Sequence, residues 1–257
     1  MASCFEGVRS LDVAVIGASQ GIGFGFVRHL LADDRVRSIE ATYRNPESAK
    51  PLLELSQSHP TRLRCSPVDV TDEPQVEAWA NRLHQDVGTL HLVANCVGIL
   101  QEGAIEPEKS LRQIDPDRLL RYFQVNSIGG ILLAKHLLPL FRHGDRSVFA
   151  SISAKIGSIG DNYLGGWYGY RASKAALNMF LRTAAIEYSR KSPRTLVVML
   201  HPGTTDTRLS RPFQRNVPPE KLFSIDRTVT QLLGVIEGLT DDDSGQFFSW
   251  DGSRLPW

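Results

Sequence analysis

Little in this chain points to a metal, a membrane or a nucleic acid. Its three cysteines, Cys4, Cys65 and Cys96, are odd in number, widely scattered and without a CxxC pair. Neither a zinc site nor a disulfide framework is therefore expected, and reduced thiols of a cytoplasmic protein are. Excess charge of either sign is missing: 29 basic against 28 acidic residues leave a formal +1, no field for a polyanion. The start, MASCFEGVRS, has no apolar stretch behind a basic head, so no signal peptide is expected. The most apolar segment, 128–141, is short and carries Lys135, His136 and Pro139. A membrane span takes about 20 apolar residues, so a buried core helix fits better. No linker, repeat or low-complexity tract divides the 257 residues, and a single domain over 1–257 is expected.

What the chain does contain is alternation. Runs rich in β-branched residues at 11–17, 38–43, 62–68, 90–95, 146–151, 195–200 and 245–250 read as strands. Several are continuously apolar, as in strands covered on both faces. Helix-length segments fall between them, at about 20–32, 46–57, 73–87, 115–141, 165–189 and 226–239. The fourth begins with Asp115 as a cap and Pro116 in the first turn. This order predicts an α/β fold: one Rossmann-like, doubly wound, seven-stranded parallel sheet flanked by helices. The polar, proline-bearing stretch at about 204–225 has the profile of a mobile loop over a site.

The first strand runs into VIGASQGIG, which puts Gly17, Gly21 and Gly23 at the turn into the first helix. Glycines there allow a tight turn and close approach of a pyrophosphate to free N–H groups at a helix start. With Ser19, Gln20 and Ile22 they form a candidate dinucleotide cradle. An NAD site would want an acid at the end of the second strand, but the chain there reads TYRNP. Arg44 suits a 2′-phosphate instead, so NADP(H) is expected over NAD. Farther along, Tyr170 and Lys174 stand one helical turn apart, on one face. An ammonium beside a phenol favours the phenolate, and the pair is expected to bring Tyr170 toward working pH.

In chain order, the glycine loop, DVTD at 69–72, NCVG at 95–98, Val125–Asn126, SIS at 151–153, Tyr170-x-x-x-Lys174 and PGTTDT at 202–207 resemble the short-chain dehydrogenase/reductase family. Within it, the segment 158–178 and the ending resemble carbonyl reductases of the C-factor and sniffer type. The resemblance implies that Tyr170 donates a proton to a carbonyl oxygen. It implies that Lys174 lowers the pKa of Tyr170 and holds the nicotinamide ribose, and that Asn126 fixes a relaying water. Asp69 and Val70 would border the adenine, Asn95 and Gly98 the adenine ribose region, and Pro202, Gly203 and Thr207 the nicotinamide. For Asp69 a turn or capping role stands equally open, and apart from the resemblance Asn126 reads as a polar helix kink or cap.

Two departures from the family pattern stand out. NNAG is here NCVG, and the position of the family's catalytic serine is Ala154. Ser153, one place earlier, is the candidate carbonyl-polarising donor. Neighbouring strand residues point to opposite faces, so Ser153 serves only if the chain turns there. Otherwise Ser151, Ser158 or a water takes the part. Tyr163, Trp167, Tyr168, Phe213 and Phe223 would either wall an apolar pocket or pack the core, and Arg208, Arg211 and Arg215 would meet an anionic group or solvent. The expected function is NADPH-dependent reduction of a small-molecule ketone or aldehyde by a homodimer or homotetramer. Helices 115–141 and 165–189 would form the contact, and the face of Leu177, Phe180 and Leu181 would serve a partner or the core equally well. Two other readings are a cofactor-binding sensor with little turnover and an NAD-linked alcohol dehydrogenase.

Overall fold

The structure, a computed structural model, describes residues 4–257. Seven parallel strands form one sheet: β1 (Leu11–Ile16), β2 (Val36–Tyr43), β3 (Leu63–Pro67), β4 (Leu92–Asn95), β5 (Ser147–Ile152), β6 (Thr195–His201) and β9 (Phe247–Ser249). All seven expected strands are present. The order is β3-β2-β1-β4-β5-β6-β9, so the winding reverses between β1 and β4. A crevice opens at that point, beyond the carboxyl ends of the strands.

Helices cover both faces, as parallel strands require. On one face α1 (Gly21–Leu31), α2 (Lys50–Ser58) and α7 (Ile225–Glu237) enclose a core of Val13, Val15, Phe26, Leu52, Val198 and Val229. On the other, α3 (Glu73–Asp86), α5 (Gly129–Leu137) and α6 (Tyr168–Lys191) bury Trp79, Leu133, Phe141, Phe149 and Tyr188. Glu40, set within β2, is a structural residue: its buried carboxylate accepts from Ser66 and from the Trp79 indole at 3.0 Å. Among the described residues no helix is long and apolar enough to cross a membrane.

Two local features depart from the expected pattern. The helix anticipated at 115–141 starts where predicted, with the Asp115 carboxylate accepting from the Asp117 and Arg118 amides, but it is not uniform. After α4 (Pro116–Phe123) come five π-helical residues, Gln124–Ile128, then α5 and a 3₁₀ turn at Leu138–Phe141. The stretch expected as an aperiodic loop is largely ordered. It holds β7 (Thr204–Thr205), a 3₁₀ segment at Arg211–Asn216 and β8 (Leu222–Phe223), which pairs with β7. Pairs this short carry no periodicity.

Candidate active site

At the crevice, β1 ends in a turn that takes Gly17 to φ 76° and Gly21 to φ 58°, where a β-carbon is disfavoured. Close approach matters more at Gly23, since a side chain there would collide with the Gly17 carbonyl oxygen. The turn leaves α1 with its N-terminus facing the crevice and no side-chain cap, so its first N–H groups are free for an anion. Ser19, Gln20 and Ile22 line the same cavity, which measures about 540 Å³. Thr207 reaches over from the far side: a β-carbon on Gly21 would lie 3.4 Å from its methyl group.

Tyr43, Arg44, Asp69 and Val70 line the end of this cavity beside β2. Arg44 is not free, as its Nη2 pairs with Glu102 Oε1 at 2.6 Å. Asp69 uses one carboxylate oxygen on the Thr71 amide and hydroxyl, at 2.9 and 2.7 Å, and so also serves as a turn former. Val70 is buried against Gly129. Asn95 lies beneath the cavity rather than in its wall. It is buried, with Nδ2 donating to Ser151 at 3.0 Å and Oδ1 accepting the Val97 amide at 3.2 Å. Gly98 does line the wall, and a β-carbon there would sit 3.3 Å from Lys174 Nζ.

The opposite end is built on α6. Tyr170 and Lys174 share a face as the spacing requires, and Nζ lies 6.0 Å from the centre of the phenol ring. Both are buried, at 7% and 3% exposure. Nζ donates to the Ile152 carbonyl at 3.0 Å. Desolvation governs both groups. Lys174 falls from the usual 10.5 to about 8, and the Tyr170 phenol is pushed well above its ordinary value rather than below it. The expected lowering by the ammonium is therefore absent from the protein alone: burial outweighs a cation that does not touch the hydroxyl. Cys96, in the same wall, is pushed up to about 12 by burial and stays a neutral thiol.

Asn126 sits in the π-helical segment, which turns its side chain out of the helix. Its Oδ1 accepts the Ile99 amide at 2.7 Å, and Nδ2 donates to the Ile99 carbonyl at 2.9 Å and to Ser173 at 3.0 Å. One amide group thus pins the chain after β4 onto α6.

Ser153 follows directly on β5. It reaches the cavity wall, but its hydroxyl is turned away and donates to Asn178 Oδ1 at 2.7 Å. The chain is still extended at this position, with Ser153 continuing the face of β5 that packs on α6, so the hydroxyl is directed into the core. Ala154 takes the place beside Tyr170, packed with Leu100 and Tyr122. Ser151 is held under Asn95, and the Ser158 hydroxyl accepts the Asp161 amide at 3.2 Å.

Apolar groups make the wall around Tyr170. Trp167 packs edge-on against Tyr170 at 6.3 Å and against Phe213 at 4.8 Å, with Leu100 and Ile156 beside them. Trp167 adopts φ 53°, the one non-glycine residue with positive φ among those described. Strain of this kind, of order 1–3 kcal/mol, persists only where the surroundings enforce it. Here the Glu108 carbonyl takes the Trp167 amide at 2.5 Å, and the buried Glu108 carboxylate takes the Gly169 amide at 3.1 Å. Tyr163 is 87% exposed, and Phe223 is buried beneath Gly203 against Trp250, so neither joins this wall. Pro202, Gly203 and Arg208 line it, whereas Arg211 and Arg215 face solvent. Leu177 and Leu181 belong to the core, leaving Leu120, Ile128, Met179, Phe180 and Ile186 as the large exposed apolar groups of these helices.

Glu102, Glu108 and His201 were not singled out from sequence. His201, at the end of β6, lines the cavity with an unpartnered, buried Nδ1, and burial lowers its pKa to about 4. None of the three lies in a local motif. Glu102 and Glu108 acquire their positions from contacts distant in sequence, and His201 only precedes the Pro202–Gly203 turn after β6.

The chain is similar to known proteins in sequence and in fold. The family model described as short chain dehydrogenase matches residues 12–218. The chain is 30% identical to NADPH-bound carbonyl reductase from chicken fatty liver, with a TM-score of 0.86 over 97% of this chain and 100% of that one. Carbonyl reductase Sniffer of D. melanogaster shares the fold at 24% identity and a TM-score of 0.85, covering 96% and 100%. The C-signal protein of Myxococcus xanthus is 32% identical over 148 residues, 58% of this chain and 84% of that protein.

Proposed function

The chain belongs to the short chain dehydrogenase family, and on that premise we propose that it reduces a ketone or aldehyde carbonyl with NADPH, with Tyr170 as the general acid. The observation that carries this reading is the cavity itself. A glycine turn at a bare helix N-terminus and a buried Tyr170–Lys174 pair open into one space of about 540 Å³.

The residues fit a dinucleotide. Gly17 to Gly23 would take the pyrophosphate, Arg44 the 2′-phosphate, and Lys174 the nicotinamide ribose, with Pro202, Gly203 and Thr207 about the ring. When bound, the cofactor supplies the hydride. The protein's part is to orient the carbonyl and deliver the proton. A phenol whose pKa is raised by burial stays protonated at neutral pH, the state a carbonyl reductase needs before transfer. As the carbonyl oxygen gains negative charge, the Lys174 ammonium stabilises it and the phenolate left on Tyr170. In a dry site that stabilisation is larger than in water. Asn126 holds Ile99 and Ser173, and so keeps the cavity wall and α6 in register. Trp167, Phe213 and Leu100 exclude water from the carbonyl and favour an apolar substituent.

A second reading, a cofactor-binding protein with little turnover, draws on one observation: Ala154 stands where the family places a hydroxyl, and Ser153 faces Asn178. One assay separates them. NADPH consumption over a panel of ketones and aldehydes should fall about 10²–10⁴-fold in Tyr170→Phe. Equal turnover by variant and parent would remove Tyr170 from the chemistry, and no turnover on any member of the panel would favour the sensor.

A further inference from the structure

The arginine at the adenosine end of the cavity is already engaged. Glu102 Oε1 lies 2.6 Å from Arg44 Nη2, and its other oxygen lies 2.8 Å from Arg121 Nε. The carboxylate is fixed from both sides. Its backbone bridges Ile105 at 3.1 and 2.9 Å, and its side chain is only 27% exposed. We propose that Glu102 is a specificity-determining residue, an internal anion that occupies Arg44 until a 2′-phosphate displaces it, weakening NADPH binding while leaving NADH binding unchanged. This rests on the assignment of Arg44 to the 2′-phosphate made above.

The exchange is chemically even. Arg44 is about half exposed and long enough to swing, and a phosphate offers it more charge and more acceptor oxygens than a carboxylate. After the swap Glu102 keeps Arg121 and is not left as an unpaired, half-buried charge. The cost falls only on a ligand that must take Arg44 from it and then lie near the displaced carboxylate. A cofactor without the 2′-phosphate leaves the pair intact and meets no penalty.

Calorimetric titration of parent and Glu102→Gln with 2′,5′-ADP, 5′-ADP, NADPH and NADH tests this. The amide keeps the shape and the Arg121 contact, and Glu102→Ala in the same series checks that packing is not responsible. Both variants should bind 2′,5′-ADP and NADPH about three- to tenfold more tightly, with 5′-ADP and NADH changed by less than about twofold. Unchanged or weaker binding of the 2′-phosphate ligands overturns the proposal, as does an equal gain for NADH. If the parent itself fails to prefer 2′,5′-ADP over 5′-ADP, the role of Arg44 falls and this proposal with it. If the parent prefers it and the variants bind no better, Glu102 alone is rejected.

Discussion

Replacing Lys174 by methionine should make the protein more stable and inactive. Lys174 is 3% exposed, and burial lowers its pKa from 10.5 to about 8. The unfolded chain holds this proton to higher pH than the folded one does. Stability therefore rises with pH between about 8 and 10.5, and below 8 the folded state carries the full cost of the buried charge. That difference corresponds to about 3 kcal/mol. Methionine removes it but leaves the Ile152 carbonyl without its 3.0 Å donor, which returns about 1–2 kcal/mol. A net gain of about 1–2 kcal/mol at pH 7 is expected, shrinking to zero or reversing by pH 10. Urea unfolding of the cofactor-free protein, followed by circular dichroism from pH 6.5 to 10, measures this as the difference between parent and variant. A variant less stable than the parent at pH 7, or a difference that does not change with pH, would refute the reasoning. Loss of carbonyl reduction alongside the gain would mark Lys174 as a residue kept for chemistry at the expense of stability.

The same value sets the alkaline limit of reduction: kcat/KM should decline as pH rises through about 8, because Lys174 loses its charge, and a profile flat to pH 10 would detach that charge from the reaction. Ala154→Ser should raise kcat by about tenfold or more by returning a donor to the Tyr170 side of the wall. Ser153→Ala should change kcat by less than about threefold while lowering stability by about 1–2 kcal/mol, since Asn178 loses its partner. Steady-state rates and urea midpoints on the pair distinguish these outcomes, and a slow Ser153→Ala protein of undiminished stability would restore Ser153 to the site.

Much of the fold was legible because strand and helix periods are local. Continuous apolar runs marked the buried strands, and Asp115 with Pro116 marked the start of α4 to the residue. The Tyr170–Lys174 face and the glycine turn were legible for the same reason, as each lies within one turn of chain. What escaped depends on contacts across the fold. Nothing near Arg44 in sequence announces Glu102, which arrives from the segment after β4. The direction of the Ser153 hydroxyl was set by how far β5 stays extended before its 3₁₀ turn, a detail that one-residue alternation leaves open. The raised Tyr170 pKa follows from the depth at which α6 packs, and no spacing encodes depth. Trp167 in a left-handed conformation runs against its own propensity, and it is held by Glu108, Tyr170 and Phe213, the first and last of them distant in sequence.

The π-helical segment at 124–128 has a bearing on how this chain can change length. It holds one residue more than an α-helical path would use, and each residue turns a helix by about 100°. Deleting any one of the five would mend the helix and leave Leu133 and Leu137 on the sheet, because the wider turn already absorbs the extra residue, but it would take Asn126 away from Ile99. A locally smoother backbone would thus be bought with the crevice alone, and this stretch should be less forgiving of a lost residue in activity than in stability.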